Sequence, residues 1–273
     1  MMKKIQVLLI GAWCVCQFCF GQSVLPDSTF HTTFRYRVKQ LDEFMSRFNG
    51  EESIDIHVAD SLERPLNLLY LFNNEVFAVN RDSMLQQAKT FTRTVIDHQS
   101  KLYYEDGGWL AEVGCHCTYN GRKDTLTLYL KPEKIEEFQY RWVIIGAKGK
   151  LLRLTPARRN RGLDILPNNH EIAFRALSKI AQLGSNNILN YAEYDYSPDE
   201  LSAFYALVYA DALKIEATGQ ITYHFFEVPG YVFTVERFNR EGNNTGWLIS
   251  RLIPMNESEK QHYYDQFLTD RKP

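Results

Sequence analysis

From Trp109 to Thr118 the chain alternates without a break. Trp109, Ala111, Val113, Cys115 and Cys117 fall on one side, and Leu110, Glu112, Gly114, His116 and Thr118 on the other. A period of two belongs to an extended strand, because successive Cβ atoms leave opposite faces of the pleat. Asn120-Gly121 follows, and both residues accept positive φ, so a tight hairpin turn is expected there. The return limb runs from Thr125 to Leu130, with Leu126, Leu128 and Leu130 in alternation. Tyr140 to Ile145 supplies a third strand and Leu151 to Leu154 a short fourth. A hairpin alone is marginal in water, so this sheet needs an apolar cover.

Amphipathic helices stand directly ahead of it. Val38, Leu41, Phe44, Met45 and Phe48 recur at helical spacing, which predicts a helix over Arg35 to Phe48 ended by Asn49-Gly50. Ile54 to Val58 alternates as a short strand. Asp60 to Phe72 and Ser83 to His98 then read as two more helices, each opened by a capping-box pair: Asp60 with Glu63, Ser83 with Gln86.

The same order recurs further on. A helix over His170 to Gln182 precedes Ser197-Pro198-Asp199-Glu200, which has Ser, Pro and Glu where a helix start favours them. Leu201, Phe204, Tyr205, Val208 and Ala212 continue that helix. Strands follow at Gln220 to Glu227, Tyr231 to Phe238 and Trp247 to Leu252, and a helix over Glu257 to Leu268 closes the chain. Trp142-Val143-Ile144 in the first half parallels Trp247-Leu248-Ile249 in the second. The expected fold class is therefore α+β, in two tandem domains, each with helices packed on its own curved antiparallel sheet. The first domain covers residues 22–157, a linker 158–168, and the second 169–273. Arg158-Arg159-Arg161 sits in that linker as a short solvated cluster.

Residues 1–21 read as a cleavable signal peptide. Lys3 and Lys4 precede an apolar stretch from Ile5 to Phe20 that is too short to span a bilayer, and Cys19-Phe20-Gly21 places cleavage after Gly21. A lipid anchor on Cys14, Cys16 or Cys19 is the competing reading, but none of the three is preceded by lipobox residues. A secreted or periplasmic protein is expected, and not an integral membrane one. The full chain carries 31 basic and 33 acidic residues, and the signal removes two of the lysines. No concentrated basic face points to nucleic acid. Three of the five cysteines also leave, so Cys115 and Cys117 cannot form a disulfide framework. A chain that is 45% hydrophobic and 14% aromatic can hold itself together by its core.

Helices followed by a bent antiparallel sheet, with a long hairpin and Trp-containing closing strands, resemble the cone-shaped α+β fold of the nuclear transport factor 2-like (cystatin-like) superfamily. The likeness covers roughly residues 30–157 and 169–253, and is similar in arrangement to two-domain secreted proteins of Gram-negative anaerobes. It implies a sheet wrapped around helices with a pocket between them, a frame that serves both binding modules and enzymes such as isomerases and dehydratases.

Cys115-His116-Cys117 is no metal motif, because alternation sends His116 to the face opposite the two thiols. Two buried core thiols are expected, with neither a metal nor a cofactor. His98 and Asp211 fall near the apolar stripes of their helices; beside Tyr103 or Tyr205 in a pocket, either could act as a general acid or base. Near a helix end, His98 can instead meet the dipole and Asp211 face solvent. Tyr191, Tyr194 and Tyr196 crowd one loop and suit a recognition surface. Both Trp strands are apolar on both faces, which calls for domain packing or a homodimer. Motifs for phosphate loops, nucleophile elbows, zinc proteases and calcium loops are absent from the sequence.

The function expected is therefore a non-enzymatic exported binding or protein-interaction module for a small ligand or a protein. The alternatives are a pocket isomerase or hydrolase using a buried His or Asp with Tyr, and a structural envelope component. Mass spectrometry of the protein recovered outside the cytoplasm of an expressing Gram-negative host should give Gln22 as its first residue. A start at Met1, or a lipid on a cysteine, would refute the cleavage assignment.

Overall fold

The computed structural model describes residues 37–38, 40–51, 60–78, 81–104, 107–136, 139–153, 199–242 and 244–268. The elements are β1 (Arg37–Val38), α1 (Leu41–Asn49), α2 (Asp60–Tyr70), α3 (Asn74–Ala78), α4 (Arg81–Asp97), β2 (Trp109–Tyr119), β3 (Arg122–Glu136) and β4 (Gln139–Lys148). After a single 3-10 turn at Lys150–Leu152 come α5 (Glu200–Tyr209), β5 (Leu213–Phe225), β6 (Tyr231–Phe238), β7 (Thr245–Pro254) and α6 (Glu257–Asp265). The strand expected at Ile54 to Val58, the helix at His170 to Gln182, the basic cluster and the linker lie outside the described residues.

One sheet takes up all seven strands, in the order β1-β7-β6-β5-β2-β3-β4. Six strands are antiparallel neighbours, and β1 joins β7 in parallel through Arg37↔Thr245 and Val38↔Gly246. The expectation of a separate sheet in each half is corrected here. The first-half hairpin pairs along its free β2 edge with β5 of the second half, from Trp109↔Phe225 to Tyr119↔Leu213. An unpaired strand edge leaves a row of backbone donors and acceptors open, and joining the two half-sheets satisfies both rows at once.

Several element limits also move. The helix expected from Arg35 begins only at Leu41, because Gln40 is extended (φ −126°, ψ 159°) and Arg37–Val38 is held in the sheet. Its end is where Asn49-Gly50 puts it: Gly50 takes φ 73°, and the Gly50 and Glu51 amides donate to the Arg47 and Ser46 carbonyls. Phe72 leaves α2 for a bridge with Ile249 of β7. The segment expected as a strand near Leu151 is the 3-10 turn. Asp199, not Ser197, caps α5, accepting from the Ser202 amide at 2.8 Å.

The inner face of the sheet carries two packed regions. Over β5, β6 and β7, helices α1, α2 and α4 press Phe44, Phe48, Leu68 and Phe91 onto Trp109, Phe225, Phe233 and Ile249. The rings form a continuous stack: Phe48 on Phe233 at 5.7 Å, Phe233 on Phe225 at 5.0 Å, and Phe44 on Phe225 at 6.1 Å, with Phe91 edge-on to Phe233. Such pairs add about 0.5–1.5 kcal/mol each beyond their buried area. Over β2, β3 and β4, α5 buries Phe204 against Cys115, Cys117, Leu126, Leu128 and Leu213. Trp247 belongs to the first region, whereas Trp142, on the terminal strand β4, stays half exposed at its rim with its ring edge-on to Trp109 at 5.3 Å. No helix among the described residues is long and apolar enough to cross a membrane.

The outer face is covered by α6 alone among the described helices. Phe267, just past its end, packs on Leu110 and Tyr129. The Lys260 ammonium is buried and donates to the carbonyls of Phe226 and Val228, each at 2.9 Å. Asn256 and Glu259 close a reciprocal capping box at the start of α6. A Cβ on Gly146 would stand 2.1 Å from the Phe267 carbonyl oxygen, so only glycine lets the end of α6 lie this close to β4. Gly146→Ala is expected to lower Tm by several degrees and to expose amides of α6 to hydrogen exchange, leaving the inner core protected. Unchanged α6 protection would show that the close approach is not required.

Candidate functional site

The candidate acid–base residues are on the surface and apart. His98 lies past the last turn of α4, exposed, with Nδ1 3.0 Å from the Thr94 carbonyl. Asp211 is exposed in the turn before β5, at φ 55°, and pairs with Lys214 at 3.3 Å. Because α5 stops at Tyr209, Asp211 is not on a buried helical stripe as expected. Tyr103 is exposed, and its carbonyl accepts from the Trp109 indole at 3.2 Å. The Tyr205 hydroxyl donates to the Ile144 carbonyl at 3.3 Å. No hydrogen bond or ring contact joins these four residues to one another among the described contacts. Tyr191, Tyr194 and Tyr196 lie outside the described residues. Both thiols are free and buried beneath α5, and burial pushes each above the ordinary thiol range, so they are poor nucleophiles. His116 is exposed on the other face.

The structure builds a different polar constellation on the outer face. His224 of β5 is buried, 4% exposed, with Nε2 3.1 Å from Glu112 Oε2 on β2 and Nδ1 3.1 Å from the Tyr263 hydroxyl on α6. A carboxylate only accepts, so Nε2 carries the hydrogen toward Glu112 and neutral Nδ1 accepts from the phenol. A second proton on the ring would turn Nδ1 into a donor to the same oxygen, so both charge states keep their partners. The result is a hydroxyl–imidazole–carboxylate chain able to relay a proton. Its open end is Glu112, whose side chain is 37% exposed; its phenol is engaged by a buried ring. The Phe267 ring packs at a tilt against His224, 4.9 Å between ring centres, and closes the site from the side of α6.

Strand alternation alone places Glu112 and His224 on one face. The signal in the sequence was a lone histidine set between Tyr223 and Phe225, aromatics that point inward. The missing information was that β2 and β5 are neighbours and that α6 lies over them.

β5 has a further unusual property. β2 pairs with it along its whole length, but β6 does so only over Thr222 to Phe225. From Leu213 to Ile221 the other side of β5 therefore has no ladder partner among the described residues. Lys214 to Gln220 are exposed on both faces of the sheet.

No family model matches this chain, and neither the curated proteins nor the solved structures include a match to it.

Burial raises several phenols. Tyr223 is pushed up to about 12, with Tyr104 adding to the effect of burial. Tyr263 and Tyr264 are raised by burial, and Arg251 partly offsets the shift of Tyr263. Tyr129 is raised furthest, by burial and then by Glu112. For each, the folded value lies above the unfolded one of about 10. Their stabilising contribution is thus complete below pH 10 and declines as pH rises from 10 toward 12. Denaturant midpoints should begin to fall above about pH 8.5, where the unfolded forms of Cys115 and Cys117 ionise, and fall more steeply above 10 as the phenols follow, while ultraviolet titration of the folded protein shows these phenols ionising late. A midpoint independent of pH up to 12 would contradict the assignment.

Proposed function

We propose that this chain is an exported, non-enzymatic binding module that takes up an extended segment of a protein partner by strand addition along β5. The observation that carries this reading is the side of Leu213–Ile221 that has no ladder partner among the described residues. A strand whose residues Lys214–Gln220 are exposed, with backbone donors and acceptors left without a described ladder partner, offers an incoming chain a ladder at once. At ~3.3 Å per residue the open span is about 25 Å, room for a partner segment of similar length. Each backbone hydrogen bond made there contributes about 0.5–1.5 kcal/mol net. Lys214 and Glu216 stand along the span, and the β2–β5 register shifts twice beside it, at Val113/Cys115 and His116/Cys117. Charges and bulges are the means by which sheet edges avoid stacking on copies of themselves, so the edge suits a specific guest.

The interior supports the same choice. The space between the helices and the sheet, where the cone-shaped likeness implies a pocket, holds the rings of Phe44, Phe48, Phe91, Phe225 and Phe233, all fully buried. Recognition then falls to the surface, where Lys214–Gln220 of β5 are all exposed.

A photo-crosslinking residue placed at Ile215 or Ala217 should yield a discrete adduct with one exported protein, absent when the residue is placed at the exposed Lys89 of α4. The matching peptide, added to pure protein, should slow amide exchange over Leu213–Ile221. Identical adducts from all three positions, or amides in that span already protected in the free protein, would defeat the proposal.

A further inference from the structure

Beyond α6, the outer face of the sheet holds a groove of about 670 Å³ that runs across the strands. It passes from Gly219 of β5 over Gly114 and His116 of β2 and Thr127 of β3 to Lys148 of β4. Three interstrand steps at ~4.8 Å give it a length of about 14 Å.

Its floor is made of glycine where neither the backbone nor the packing demands glycine. Gly114 and Gly219 are not among the residues with positive φ. A Cβ on Gly114 would approach only the Gln220 backbone, at 3.6 Å, and one on Gly219 the Gly114 carbonyl at 3.4 Å and His116 Nε2 at 3.7 Å. Both are ordinary contacts. Glycine inside a strand costs stability relative to a residue with a side chain. Two glycines on facing strands forgo that stability, and what they gain is space above the ladder.

One end of that space is cationic. Lys148, Lys150 and Arg153 gather there. Arg153 is held by Glu200 at 2.6 Å, and the Lys148 ammonium donates to the Gln266 carbonyl and has no carboxylate partner among the described residues. Lys150 is exposed. Asp124 is the acid in the lining, and its carboxylate accepts from the Thr125 amide at 2.7 Å. The local balance is positive in a chain whose formal net charge is −2.

We propose that this groove binds a polar ligand that ends in an anionic oxygen group, carboxylate or phosphate. The body of the ligand lies over the glycine floor, and its anion sits between Lys148 and Lys150. The groove meets the Leu213–Ile221 span at Gly219 and Gln220 alone, and its cationic end lies beyond β3, around Lys148 and Lys150, so it does not depend on a partner strand.

Titration of the full mature protein with inorganic pyrophosphate in one arm and succinate in the other, followed by amide chemical shifts, tests it and tells the two anions apart. Saturable shifts at Gly114, Thr127 and Lys148 are expected in at least one arm, weakening at least fivefold in Lys150→Gln and also as salt is raised. Gly114→Val should abolish binding while keeping or raising Tm, since valine suits a strand. The exposed change Lys89→Gln on α4 should leave binding as it is. Saturation in neither arm, or equal binding by Lys150→Gln and Gly114→Val, would overturn the proposal and leave an adventitious ion only.

Discussion

The antiparallel ladder between β2 and β5 is the contact on which the rest of the molecule depends. It joins two segments that each carry helices and strands, and it brings Trp109 and Phe225 side by side at 5.7 Å between ring centres. Through that pair the first-half helices, which carry Phe44, Phe48 and Phe91, reach second-half strands that carry Phe225, Phe233 and Ile249. One aromatic core therefore serves both segments. The same ladder sets Glu112 beside His224 on the reverse face, so core and polar constellation follow from a single register. A slip by one residue would exchange the two faces and bury the glutamate among the phenylalanines.

The two faces have separate roles. The inner one is packed with buried apolar side chains, first under α1, α2 and α4 and then under α5. The outer one is only partly covered. There α6 is fixed by polar ties as much as by apolar ones: Lys260 to two carbonyls, Tyr263 to His224, and Lys148 to the end of the helix. Beyond it no other described helix lies on the sheet, and β5 extends past its neighbour β6 with no ladder partner among the described residues. Apolar packing is concentrated on the inner side of the sheet, and polar ties on the outer.

Much of the local structure could be read in the sequence. Alternation located β2 and β3, Asn120-Gly121 turned between them, and helical spacing found α2 and α4 to within about two residues and the end, but not the start, of α1. Periodicity reports which face a residue takes, however, and not which strand becomes its neighbour. The helix-then-meander order occurs twice, and that repetition suggested two sheets; the free edges of the two meanders close on each other instead. The same limit governs the site. His98 and Asp211 were singled out by their place on helical stripes, which end before either residue is reached. His224 needed a partner more than a hundred residues away in the chain, and a third from a helix laid across the sheet, and neither relation has a local signature.

The seam between Trp109 and Phe225 also fixes when the protein can finish folding. Its two limbs are separated by roughly a hundred residues, so closing it requires a large loop entropy before any of its contacts can compensate. A chain emerging from its amino terminus would have helices and the β2–β3 hairpin ready, with one edge of β2 and half of the aromatic stack still exposed to solvent. During that interval it is a substrate for holding factors, proteases and its own copies. Roughly the last sixty residues, which bring β5, β6, β7 and α6, end that vulnerability, so truncation in this carboxyl-terminal part should be far more damaging than its loss of mass implies.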